Sequence, residues 1–82
     1  MTTAEKFYEE YCNVSYDYEH NCKNWGEWAP LMDKIRAEAT SEEEEWSWLW
    51  DPSLIFKFDD GSALYVGNPR QGAFAGVMRV MS

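Results

Sequence analysis

The sequence predicts an α+β fold in which two N-terminal helices pack on a three- to four-stranded antiparallel sheet. Three observations predict it: a capping-box pattern that begins at Thr2, an apolar helical stripe after Pro30, and an Asp-Gly turn at residues 60–61 between two apolar runs. The 82 residues are expected to form a single domain, 1–82, because a second core could not be built from what remains. An aromatic content of 17% supplies the large side chains that so small a core needs.

The first helix is predicted from its start signal. Thr2 is the expected N-cap, and Glu5, three residues on, completes a capping box. Apolar side chains then recur at helical spacing up to an expected end near Asn13, at Phe7, Tyr8, Tyr11 and Cys12. Of these we expect the Cys12 thiol to be buried.

The second helix is predicted to begin at Pro30, which suits a first helical turn, and to end at Thr40-Ser41. Its apolar stripe consists of Leu31, Met32, Ile35 and Ala39. Residues 14–28, between the two helices, mix a strand-like alternation with turn residues, so we expect a loop with some order there.

A hairpin is predicted for residues 54–66, because Asp60-Gly61 separates two apolar runs. A two-residue turn there places Phe58 opposite Ala63, Lys57 opposite Leu64 and Phe56 opposite Tyr65. One face then holds Leu54, Phe56, Phe58 and Tyr65, and the other holds Ile55, Leu64 and Val66. Two short helices can cover only one apolar face, so part of the other is expected to meet another chain. A third strand is predicted over residues 73–81, with a bulge expected at Gly76, after a loop at 68–72.

The stretch SEEEEWSWLWDP at residues 41–52 is compatible with two structures. As a helix, Ser41 is the N-cap, Glu44 completes the box, and Trp46, Leu49 and Trp50 share a face. As a strand, the tryptophans at 46, 48 and 50 share a face, and this alternation favours a strand over residues 45–50. In both cases the glutamates are exposed beside an aromatic patch. The simpler interpretation, tryptophans in the core and glutamates as a solvated cap, stays open.

The charge is unevenly distributed. The chain has 15 acids and 7 bases, a net charge of -8. Residues 1–51 hold 13 acids and 4 bases, whereas residues 52–82 hold 2 acids and 3 bases. Such a chain is repelled by DNA, RNA and anionic lipid, and attracted to basic protein surfaces. We therefore expect neither direct nucleic-acid binding nor membrane binding. The start of the chain is unlike a signal peptide, so we expect a cytoplasmic protein.

The sequence gives little sign of catalysis or of metal binding. His20 is the one histidine, and no nucleophile elbow, phosphate-binding loop or dinucleotide fingerprint is present. Cys12, His20 and Cys22, with Asp17 or Glu19, could be proposed as zinc ligands, but their spacing matches no standard zinc site. We expect no enzyme activity, no cofactor and no metal.

The features that point to a function are carboxylates and tryptophans. Spaced carboxylates can stand in for phosphates, and aromatic anchors beside charges are typical of protein–protein hot spots. The predicted partner-binding residues, which would meet a basic surface of a larger host protein or nucleoprotein complex, are Asp17, Glu19, Glu42, Glu43, Glu44, Glu45, Trp46, Trp48 and Trp50.

The general layout of the chain resembles that of small phage-encoded inhibitors of bacterial defence, anti-CRISPR proteins above all. The acidic helical start TTAEKFYEEY, the EEEE run and the hairpin IFKFDDGSALYV carry the resemblance. It implies an inhibitor in the host cytoplasm that mimics DNA, or blocks nuclease docking, on a CRISPR effector complex. Two alternatives remain: an immunity protein for a toxic nuclease, and a small structural or adaptor domain that forms homodimers through an exposed sheet face.

Overall fold

A computed structural model describes residues 1–46, 52–67 and 77–81. They form two helices, α1 (Thr3–Cys12) and α2 (Trp25–Glu38), and two antiparallel sheets. The small sheet pairs β1 (Tyr16–Asp17) with β2 (Cys22–Lys23), and the large sheet has the strand order β3-β4-β5-β6. Its strands are β3 (Ser41–Glu45), β4 (Ser53–Lys57), β5 (Ala63–Gly67) and β6 (Val77–Met81). The α+β class is confirmed, and the predicted arrangement is matched in part, since a two-stranded hairpin separates the helices.

The start of α1 is held by its own cap and by the β4–β5 loop. Thr2 Oγ1 accepts a hydrogen bond from the Glu5 amide at 3.2 Å, and Glu5 Oε1 accepts one from the Thr2 amide at 2.9 Å. The predicted capping box is therefore confirmed. Asp60 Oδ2 also accepts from the Thr3 amide at 2.7 Å. The first amides of α1, which have no partner within the helix, are thereby tied to the sheet.

The buried side of α1 carries Ala4 and Phe7, with Tyr11 packed against the same core. Cys12 is exposed, so the prediction of a buried thiol was wrong. The spacing 4, 7, 11 defines the stripe that faces the core, and Cys12 lies beyond its edge.

Helix α2 begins at Trp25, five residues before the predicted start, and Pro30 lies inside it. Asn24 is the N-cap, and its Oδ1 accepts a hydrogen bond from the Glu27 amide at 3.2 Å. The buried side chains follow the helical period from Trp28 onward, at Trp28, Leu31, Met32 and Ile35. The prediction of a loop with some order over residues 14–28 was thus wrong for the start of α2, while the short β1–β2 hairpin supplies regular structure before α2 begins.

The β4–β5 hairpin has a three-residue loop at residues 59–61 instead of a two-residue turn. The Gly61 amide donates to the Phe58 carbonyl at 3.1 Å, and the Phe58 amide donates to the Ser62 carbonyl at 3.0 Å. Gly61 has φ 87°, the left-handed residue that follows the turn in three-residue hairpin loops. The pairing is shifted by one residue from the prediction: Phe56 lies opposite Leu64, and Lys57 lies opposite Ala63.

In this register the core side chains of the large sheet lie on one face, because directly opposed residues share a face. The predicted division of side chains between two apolar faces was therefore wrong. On the inner face the strands contribute Leu54, Phe56, Leu64, Val66 and Met78 to one hydrophobic cluster with Phe58 and the buried residues of α1 and α2. Tyr65 and Ile55 lie together on the opposite side, called here the outer face.

Strand β3 consists of the glutamates themselves. A strand is present over residues 41–45, where only Glu45 belongs to the predicted strand over residues 45–50, and the helix that would begin at Ser41 is excluded for residues 41–45. Residues 47–50 of the predicted strand lie outside the described residues. The Thr40 amide and hydroxyl both donate to the Lys57 carbonyl, at 2.8 Å and 3.1 Å. The chain that leaves α2 therefore pairs at once with β4, from Ser41 opposite Lys57 to Glu45 opposite Ser53.

The remaining predictions for the sheet are only partly covered by the described residues. Trp46 follows β3 without regular structure, and Trp48 and Trp50 lie outside the described residues. Of the predicted third strand, residues 77–81 are confirmed as β6. The predicted loop at 68–72 and the predicted bulge at Gly76 also lie outside the described residues.

Candidate functional site

The candidate site is the row of glutamates 42–45, named here the acidic edge. It lies on β3, an edge strand of the large sheet, and every residue of that strand is exposed. An antiparallel strand rises about 3.4 Å per residue, so the acidic edge presents one carboxylate per ~3.4 Å of strand. Phosphates follow one another along the axis of a single DNA strand at about the same interval, ~3.4 Å.

The acidic edge has two sides. Glu42 lies opposite Phe56 and Glu44 opposite Leu54, so both are on the side of the helices, whereas Glu43, opposite Ile55, is on the outer face. Two of the carboxylates have cationic neighbours. Arg36 Nε lies 3.4 Å from Glu42 Oε1, and Lys57 Nζ lies 3.3 Å from Glu43 Oε2.

These two ion pairs leave the carboxylates accessible. Both partners in each pair have side chains that are more than two-fifths exposed. Exposed pairs of this kind contribute about 0–1 kcal/mol and exchange readily with solvent. Incoming Lys or Arg side chains could therefore replace Arg36 and Lys57 as partners of Glu42 and Glu43 at little cost.

Trp46 extends the acidic edge with an aromatic ring. Its side chain is 62% exposed, and its Nε1 donates to Glu44 Oε2 at 3.0 Å. The hydrogen bond holds an indole ring beside the carboxylates at the end of β3. Of the predicted partner-binding residues, five thus lie together, namely Glu42, Glu43, Glu44, Glu45 and Trp46.

Asp17 and Glu19 lie apart from these residues in sheet topology, on the β1–β2 hairpin of the small sheet. Asp17 Oδ1 accepts from the Glu19 and His20 amides at 3.0 Å and 3.2 Å, and Asp17 Oδ2 lies 2.8 Å from His20 Nδ1. The hydrogen bonds from His20, side chain first, hold the pKa of Asp17 below its ordinary value. The Asp17 carboxylate therefore shapes the hairpin, whereas Glu19 is exposed.

The same hairpin contains a group of three residues with metal-ligating atoms. Ligand atoms of Asp17, Glu19 and His20 lie within 4.8 Å of one another. Cys12 and Cys22 are free thiols, and within the described ranges neither belongs to such a group. The set Cys12, His20 and Cys22 suggested by the sequence is therefore not assembled. Exposed acids that are already hydrogen-bonded are no sign of a metal site by themselves.

The hairpin also carries an exposed tyrosine pair, Tyr16 and Tyr18, outside the predicted partner-binding set. Tyr16 is 42% exposed and Tyr18 86% exposed, with ring centroids 4.8 Å apart. The Tyr16 hydroxyl donates to Asn21 Oδ1 at 2.6 Å, and Asn21 adopts a left-handed φ of 54° that closes the hairpin. The sequence feature that indicates this tyrosine pair is the alternation of tyrosine with acid in YDYE, close to the turn residue Asn21.

Comparison with protein-family models, with curated proteins and with solved structures gives no match. Neither α1 nor α2, the helices of the described residues, has the length and apolar character needed to cross a membrane.

Proposed function

We propose that this chain is an acidic, non-catalytic inhibitor that binds a basic surface of a larger protein, with a CRISPR effector complex as the partner. It would occupy the surface where that complex binds nucleic acid, or where its nuclease docks. The observation that carries the proposal is the acidic edge: four consecutive exposed glutamates on an edge strand, at the axial spacing of DNA phosphates.

Electrostatic attraction would bring the two proteins together. A row of like charges raises the rate of encounter with an oppositely charged cleft, and this effect weakens as salt rises. Glu44 and Glu45 have no cationic partner among the described residues, so their charge is not offset locally. Trp46, 62% exposed, would then bury its ring against the partner and slow dissociation.

The competing explanation is that the glutamates only protect a sheet edge. Charged side chains on edge strands prevent the edge from pairing with other chains. A protective role requires charge on the edge but no partner. The two explanations therefore differ in whether binding to the partner weakens when glutamates of the acidic edge are replaced by glutamines, which remove the charge and keep the shape.

We expect the double variant Glu42→Gln and Glu44→Gln to inhibit less well, because it removes both carboxylates on the helix side of the acidic edge. Its association rate should fall by about tenfold and depend less on salt. The measurements are target-DNA cleavage by a panel of purified guide-loaded CRISPR effectors, and association rates at several salt concentrations. The double variant Glu9→Gln and Glu10→Gln is the control, since it removes the same charge from α1.

Equal inhibition by wild type and both double variants at every salt concentration would show that the glutamates only protect the edge. Trp46→Ala provides an independent measurement. It should speed dissociation and cost about 2 kcal/mol or more of binding free energy. Its melting temperature should be that of wild type, because substitutions of exposed residues rarely change stability by more than about 0.5 kcal/mol.

An immunity protein for a toxic nuclease would use the same edge, since a nuclease also has a basic nucleic-acid cleft. Cleavage assays with bacterial toxin nucleases, using the same variants, separate this alternative from inhibition of a CRISPR effector.

A further inference from the structure

The outer face of the large sheet contains a row of four residues, one from each strand. Glu43 pairs with Ile55, Ile55 with Tyr65, and Tyr65 with Arg79. Directly opposed residues share a face, so the row crosses the whole sheet from the acidic strand β3 to the opposite edge strand β6. It begins with an anion, continues with an aliphatic and an aromatic side chain, and ends with a cation.

The centre of this row is already held in place. The Tyr65 and Ser53 hydroxyl oxygens are 2.8 Å apart, and the Arg79 guanidinium carbon lies 4.4 Å from the centroid of the Tyr65 ring. Tyrosine and arginine are two of the residues most enriched at protein–protein hot spots. Val77, which neighbours the row on β6, is 48% exposed. Helices α1 and α2 pack on the inner face, and no described helix lies on the outer face.

The outer face formed by the four described strands is electrically neutral on a strongly acidic molecule. The charged residues that β3 to β6 place on it are two acids, Glu43 and Glu45, and two bases, Lys57 and Arg79. The described residues as a whole have 14 acids and 6 bases, a net charge of -8, so the other surfaces carry all of the excess. A basic partner would be attracted more strongly to the helix side of the acidic edge, whereas two copies of this chain would repel each other least if they met through this face.

We propose that a second copy of this chain packs on the outer face, related by a two-fold axis parallel to the strands. That axis lays β3 of one copy over β6 of the other. Glu43 of each copy then meets Arg79 of the other, and Ile55 of each copy packs against Tyr65 of the other. A two-fold axis perpendicular to the strands within the interface would instead lay β3 over β3, with like charges opposed. The sign of the charge at each end of the row thus selects one symmetric arrangement.

The size of the face predicts how strong the contact is. Four strands spaced about 4.8 Å apart, each of five residues rising about 3.4 Å, give a face of roughly 320 Å² on each copy. A standard stable interface buries about 800 Å² on each partner. We therefore infer a reversible dimer whose population depends on concentration, and this inference does not rest on the proposed inhibitor function.

The test is sedimentation equilibrium over a wide range of protein concentrations. The wild-type chain should change from monomer to dimer as concentration rises. Arg79→Glu should raise the dissociation constant at least about tenfold, because at each end of the interface it places a glutamate opposite Glu43 of the other copy. Glu43→Arg should do the same by opposing two bases. The combined variant, Glu43→Arg with Arg79→Glu, reverses the row and should recover dimerisation.

Arg36→Glu is the matched control, since it makes the same charge change on α2 and should leave the dissociation constant close to that of wild type. Thermal melting of every variant verifies that each is folded. A wild-type chain that stays monomeric at the highest concentration would overturn the proposal. So would a combined variant that is folded and still monomeric.

Discussion

Asp60 connects two elements that are far apart in sequence. Its carboxylate accepts from the Thr3 amide at 2.7 Å, from the Ser62 amide at 3.0 Å and from the Ser62 hydroxyl at 2.5 Å. These hydrogen bonds, the one from the Ser62 hydroxyl above all, hold the pKa of Asp60 far below its ordinary value of 3.8. One carboxylate thereby closes the β4–β5 loop and caps α1.

We expect Asp60→Asn to lower the melting temperature near neutral pH and to weaken the acid sensitivity of the fold. A carboxyl group whose pKa is lowered by folding stabilises the folded state when the pH is above its unfolded pKa, here about 3.8. That stability is lost as the pH falls below this value, because the unfolded chain takes up the proton first. Asp59→Asn, one residue away, is the control. Melting curves of wild type and both variants at several pH values provide the measurement. Identical dependence of the melting temperature on pH for Asp60→Asn and wild type would refute the stabilising role of the Asp60 carboxylate.

At the scale of elements, signals between residues close in sequence were enough to predict α1 and the β4–β5 hairpin. They were not enough where pairing with a distant strand determines the secondary structure. The α1 cap depends on residues three apart, Thr2 and Glu5, so the sequence was sufficient. The start of α2 could have been found, because Asn24 and Glu27 have the spacing of a cap and Trp28 begins the buried stripe. The strand character of residues 41–45 could not, since it comes from pairing with β4 and glutamate is a poor strand former.

The register of the β4–β5 hairpin depends on a single backbone conformation. Gly61 has φ 87°, and a Cβ there would meet no heavy atom within 4 Å apart from those of its own residue and its two chain neighbours. We expect Gly61→Ala to lower the free energy of unfolding by about 1–2 kcal/mol, through the left-handed backbone alone. Gly61→Asn should cost less, because asparagine tolerates this conformation. Urea denaturation measures the free energy of unfolding of each variant. Equal decreases in Gly61→Ala and Gly61→Asn would contradict a conformational cause.

At the scale of the whole molecule, charge distribution is the property that the sequence conveyed best. The exposure of Glu42 to Glu45 was predicted correctly, whereas the sequence left open whether Trp46 lies in the core or, as the structure has it, is exposed. The division of the glutamates between two sides of an edge strand could not be predicted, because it depends on the pairing with β4. The neutral outer face likewise became visible only with the register, which brings Glu43 and Arg79 into one row.

The same charge distribution predicts how the chain and nucleic acid compete. With a net charge of -8, the chain itself should not bind labelled DNA or RNA at physiological salt, even at roughly 10 μM. If the acidic edge takes the place of phosphates on a CRISPR effector, an effector already loaded with guide and target should bind the chain much more weakly than an effector with its nucleic-acid surface free. Unchanged binding to the loaded effector would instead point to the nuclease-docking surface. Fluorescence anisotropy with labelled oligonucleotides, followed by binding of labelled chain to effector with and without guide and target, measures both quantities. Micromolar binding of the chain to the oligonucleotides would contradict the charge argument, because a surface that attracts phosphates cannot also imitate them.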